Sequence, residues 1–76
     1  MMFVMGTRIQ IRLEVNSRRE GAQELADKVL ALDGERYRAI AVPIADGCHT
    51  LRTPGGTYYG AKSIMEQLKN LEAKYR

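Results

Sequence analysis

In PGGTYYGAKS, residues 54–63, Gly55 and Gly60 stand at the spacing of a phosphate-cradling loop, and Lys62-Ser63 follow one residue late. That chemistry needs backbone amides wrapped around the phosphates and a lysine, directly after the second glycine, converging on the same group. Here Ala61 intervenes, and Tyr58 and Tyr59 fill positions where small residues let the backbone close in. No later strand follows to supply a magnesium-binding aspartate, so nucleotide hydrolysis is not expected. What survives is a helix start at Gly60, whose first-turn amides, with Lys62 and Ser63 beside them, form a general anion site. The plainer expectation is favoured: Ser63 and Glu66 cap the helix locally and Lys62 is solvated.

Cys48-His49 raises a nucleophile–base pair, but neighbours on a strand point to opposite faces and cannot easily meet. His49 is expected on the core side, partly buried and hydrogen-bonded. Asp27, Asp33, Glu35 and Asp46 fall on a helix face or in turns, and none pairs with another at a general-acid spacing. One cysteine and one histidine with no acidic cluster beside them make a metal site unexpected. The expectation is a chain without catalytic residues, cofactor or metal.

Arginines and tyrosines carry the remaining chemistry. Guanidinium forks hold phosphates and a tyrosine ring stacks a base. Arg8, Arg12, Arg38 or Arg52, and Tyr37 are expected to share one open sheet face or its rim. The candidate nucleic-acid-binding set is therefore Arg8, Arg12, Arg52 and Tyr37, with Lys62 at the helix start. Two other uses of that face stand beside it. It is a plain solvated surface if Arg12 and Glu14 merely answer neighbouring charges. It is a protein contact if Ala39, Ala41 and Thr50 allow close approach.

These residues need elements to position them. TRIQIRLEV alternates: Thr7, Ile9, Ile11, Leu13 and Val15 on one side, Arg8, Gln10, Arg12 and Glu14 on the other, as in a strand with one wet face. Phe3 and Met5 continue the apolar side, so residues 1–5 read as a projecting arm suited to pairing with a second subunit. Ser17 and Glu20 form a capping box for a helix whose stripe is Ala22, Leu25, Ala26, Val29 and Leu30, closed by Asp33 and a left-handed Gly34. RYRAIAVPIADGCHTLRT reads as a hairpin about Asp46-Gly47. In that register Ile40, Val42, Ile44 and Leu51 face the core, while Tyr37, Ala39, Ala41, Thr50 and Arg52 face out. Pro43, which has no ladder donor, should turn its amide side to solvent or an irregular neighbour. Pro54-Gly55 makes the next turn and TYY a short strand. Ile64, Met65, Leu68, Leu71 and Tyr75 then line a last helix. The order β-α-β-β-(β)-α gives an α+β fold of two layers, a mostly antiparallel sheet with two helices on one face.

The tail GAKSIMEQLKNL, following a Val42-Pro43 strand and a hairpin, resembles the closing strand–helix segment of thioredoxins. The resemblance covers about a third of the chain. The C-x-x-C pair of that family has no counterpart, and Ser17, Arg18, Arg19 and Glu20 occupy the matching helix start.

The 76 residues make one small domain, of a size that buries only about 60% of its unfolded surface. Cys48 is the sole cysteine, so no disulfide closes within the chain, and self-association is the stabiliser left. A lone thiol and the lack of a signal peptide or membrane span point to the cytoplasm. Twelve basic residues against nine acidic ones, a net charge of +3, favour anionic partners. The expected function is a basic, non-enzymatic module touching nucleic-acid phosphates weakly through the open face. The alternative is a homo-oligomeric protein-interaction module with no nucleic-acid role.

Overall fold

The computed structural model describes residues 8–74. The apolar arm, residues 1–5, and Tyr75 lie outside the described residues. The alternating segment forms β1 (Ile9–Val15), with Ile11 and Leu13 buried and Gln10 and Arg12 exposed. After a turn comes α1 (Ala22–Leu30), which buries Leu25 and Val29, four residues apart on one helical face. Then follow β2 (Tyr37–Pro43), β3 (Thr50–Thr53), β4 (Gly56–Tyr59) and α2 (Ala61–Lys74).

The four strands form one mixed sheet in the order β2-β1-β3-β4. β1 pairs parallel with β2 and antiparallel with β3, and β3 pairs antiparallel with β4. Parallel neighbours cannot be joined by a tight turn, and α1 supplies the crossover between β1 and β2. The helices lie against one side of this sheet: α1 packs on β1 and β2, and α2 on β4 and α1. This is the expected α+β architecture. The core between the layers holds Ile11, Leu13, Leu25, Val29, Tyr37, Ala39, Leu51, Ile64 and Leu68. Residues 60–71 follow directly on β4 and, from Ala61, lie in α2.

Three local expectations are corrected. Asp46-Gly47 does not close a hairpin, because β1 lies between β2 and β3. Residues 44–49 instead cross the end of β1, held by Ile44 N–H on Val15 O and by the Gly47 carbonyl, which accepts from Asn16 Nδ2 and Arg19 Nε. The parallel register sets Tyr37, Ala39 and Ala41 beside Ile9, Ile11 and Leu13. The faces of β2 are thereby reversed: Tyr37 and Ala39 are buried and Ile40 is 43% exposed. The two-residue hairpin sits at Pro54-Gly55, where Thr53 pairs with Gly56 and its hydroxyl donates to the Gly56 carbonyl.

The capping box is the second. α1 starts at Ala22, after Gly21 at φ 84°, and has no side-chain cap. Asn16 intervenes: its Oδ1 accepts from Arg18 N–H and its carbonyl from Arg19 N–H, so residues 16–20 turn before any helix begins. The third concerns Gly34, which does not take a left-handed conformation. α1 ends at Leu30 with short-range bonds from Leu32 and Asp33 N–H, and Gly34 N–H donates to Tyr37 O. Asp33 covers the outer edge of β2, where its Oδ1 accepts from Ala39 N–H at 2.9 Å. Pro43 lies on that same edge strand, where a missing donor breaks no ladder.

Candidate nucleic-acid interface

The side of the sheet away from the helices is built by strand parity. Gln10, Arg12 and Glu14 point there from β1, because Ile11 and Leu13 point into the core. Arg12 is the register partner of Ile40 on β2 and of Arg52 on β3, and Arg52 in turn faces Thr57 on β4. One row below, Glu14 partners Val42 and Thr50, and Thr50 partners Tyr59. Arg38 stands beside Gln10 at the other end. Gln10, Arg12, Arg38, Ile40 and Arg52 line a shallow cleft of about 390 Å³ on this surface.

Charge on the face is uneven. Arg12 and Arg52 share one carboxylate, Glu14, while Arg38 stands beside Gln10, away from it. Arg52 forks onto it, Nε donating to Oε2 at 3.2 Å and Nη2 to Oε1 at 3.5 Å. Arg12 Nε lies 3.6 Å from the same Oε2. Like charges directly opposite on neighbouring strands repel, and Glu14 offsets the Arg12–Arg52 repulsion. Both arginine side chains are about half exposed, at 51% and 52%. Glu14 itself is only 20% exposed, but at the wet arginine ends an ion pair contributes about 0–1 kcal/mol, so an external anion can compete for the guanidiniums. Among the described residues Arg38 has no ion-pair partner.

The residues expected at the interface separate. Arg12 and Arg52 share the open face. Arg8 is exposed, its Nη1 donating to the Gly34 carbonyl at 3.1 Å. Tyr37 is a correction: it is 4% exposed on the helix side of the sheet, so its ring cannot meet a ligand on the open face. Lys62 is exposed in the first turn of α2, in the helix layer, and so lies apart from the arginine cluster. Among the described residues, the aromatic on the open face is Tyr59, 62% exposed. Sequence pattern alone misses it, since TYY does not say which of two adjacent tyrosines turns inward. Tyr58, opposite Leu51, is the one that packs on the core.

The glycine-rich segment is no phosphate cradle. Four of the residues between the proline turn and Gly60 are committed to β4 and its ladder with β3, leaving no free loop to wrap a ligand. Gly60, at φ 87°, ends the strand, and its carbonyl accepts the first α2 bond from Ile64 N–H. Gly60 thus holds the cap position, and Ser63 lies inside the first turn.

A second cleft, of about 560 Å³, opens at the carboxyl end of β1 between Arg18, Arg19, Cys48, His49 and Gly60. His49 is 2% exposed. Its Nδ1 accepts from Asn16 N–H at 3.1 Å, and its Nε2 lies 3.2 Å from the Glu20 carbonyl. An amide only donates and a carbonyl only accepts, so the ring carries its proton on Nε2. Both nitrogens are occupied in tying the crossover loop to the residues 16–20 turn. Cys48 is exposed beside it, and no imidazole nitrogen remains to serve it as a base.

Among the described residues, no group of three or more acidic, His or Cys side chains could hold a metal ion, and no helix is long and apolar enough to cross a membrane. No protein-family model, curated protein or solved structure matches this chain.

Proposed function

We propose that this chain is a small, non-enzymatic binding module that contacts nucleic-acid phosphates through the open face of its sheet. One observation carries the proposal: Arg12, Arg38 and Arg52, from three adjacent strands, share a solvent-facing surface on which Glu14 is the single carboxylate among the described residues. Arginine forks match phosphate oxygens. The Arg52–Glu14 fork demonstrates that geometry with an internal anion. The net charge of +3 adds a weak, long-range attraction to the same partner.

Titration with random-sequence DNA and RNA at several salt concentrations tests this. Binding should be micromolar or weaker and fall with salt at a slope of roughly −0.7 to −0.9 per phosphate contact, through counterion release. Arg12→Ala and Arg38→Ala should each flatten that slope by about one unit. Lys62→Ala, in the other layer, removes the same charge and should leave the slope unchanged. Lack of binding at low salt, together with a mass above the monomer, would instead support a homo-oligomeric protein-interaction module.

A further inference from the structure

Resting on the phosphate-contact proposal above, we infer that the nucleic acid this face takes is single-stranded, with an unstacked base lying on the ring of Tyr59. Three large apolar side chains are exposed among the described residues, and two of them, Tyr59 and Ile40, lie on the open face. They stand on the outer strands β4 and β2, with Arg12 and Arg52 on the two strands between them. Tyr59 is two residues from Thr57, the register partner of Arg52. That makes it a diagonal neighbour of Arg52, at about 7–8 Å between backbones, within reach of both long side chains. A base on Tyr59 therefore leaves its own phosphate near the Arg52 and Arg12 guanidiniums.

A duplex does not fit this surface as well. Its bases are stacked inside, and proteins read their edges by sending a helix or a two-stranded ribbon into a groove. Both helices here lie in the other layer, so among the described residues the open face offers a floor without a projecting element. Charge alone would treat duplex, single strand and any polyanion alike. An aromatic platform beside the charges distinguishes them, because only a single strand presents the flat face of a base.

The test compares a fluorescent single-stranded oligonucleotide, the same sequence as a duplex, and inorganic polyphosphate, at one salt concentration. The single strand should bind tightest. Tyr59→Ala should weaken it by about 5- to 100-fold, the loss expected for one stacked base, with polyphosphate binding unchanged. Tyr59→Phe keeps the ring and should retain most of the affinity. Tyr59 is largely exposed, so thermal melts of both variants should match the parent. If Tyr59→Ala leaves single-strand binding intact, or if duplex and polyphosphate bind equally well, the face senses charge only and the inference fails while phosphate contact stands. If none of the three binds, phosphate contact itself fails and the inference falls with it.

Discussion

Glu14 is the residue on which the behaviour of the open face turns. Its carboxylate occupies the position a phosphate would take between Arg12 and Arg52. Its own side chain is only 20% exposed, but both arginine partners are about half exposed, and pairs with such wet ends contribute on the order of 1 kcal/mol. As a resident anion it competes with any ligand for two cations. Glu14→Gln should therefore leave the melting temperature nearly unchanged while tightening nucleic-acid binding and steepening the salt slope by one to two units, as each freed arginine gains a phosphate. Glu24→Gln on α1 changes the net charge equally but lies in the helix layer. If the two variants raise affinity to the same degree, Glu14 acts only through total charge and not through its position.

At the scale of elements, β2 decides which residues are structural. Its parallel pairing with β1 turns Tyr37 and Ala39 inward and Ile40 outward, so a large aliphatic side chain stands in solvent while an alanine is buried. Core truncations should follow the observed faces. Leu25→Ala and Leu68→Ala each remove buried methyl groups between the layers and should cost about 2–5 kcal/mol in urea denaturation. Ile40→Thr, on the open face, should stay within about 0.5 kcal/mol of the parent. A loss at Ile40 as large as that at Leu25 would mean that β2 faces the other way. Val42, expected in the core cluster from the hairpin register, lies on the open side and is only partly buried. Its truncation should cost less than that of Leu25. The cores of both helical stripes and the alternation in β1 were legible because each is a local pattern, although Leu30, expected in the α1 stripe, is 47% exposed. The faces of β2 were not, because Tyr37, Ala39 and Ala41 on one parity compete with Ile40, Val42 and Ile44 on the other.

For the molecule as a whole, size sets the terms. A chain this short buries a small core, and its stability is of the order of 5 kcal/mol. The sheet has two outer strands. Asp33 and Pro43 cover part of the β2 edge, while β4 is protected chiefly by its shortness, at four residues. We propose that a second copy supplies further burial, since a lone cysteine closes no disulfide. Light scattering across a concentration series should accordingly give a mass above that of the monomer. A strict monomer at high concentration would show that the core suffices alone. Self-association and nucleic-acid contact are compatible, because the arginine face and the strand edges are different surfaces.

The sequence by itself determined the elements whose cues are local. β1 follows from four alternating apolar residues, the two helices from stripes at Leu25–Val29 and Ile64–Leu68, and the β3–β4 turn from Pro54-Gly55. It also placed Arg12 outward, because only one parity of β1 can be buried. Tertiary structure decided which strand each segment meets. Asp46-Gly47 has the composition of a hairpin turn, yet Asn16 and Arg19 capture the Gly47 carbonyl and carry the chain past β1. The same Asn16 turns the chain ahead of α1 and moves its start beyond the expected capping box. The aromatic of the open face passed from Tyr37 to Tyr59 for one physical reason. Alternation along a strand fixes which residues share a side, but only the pairing with distant strands fixes which side is covered.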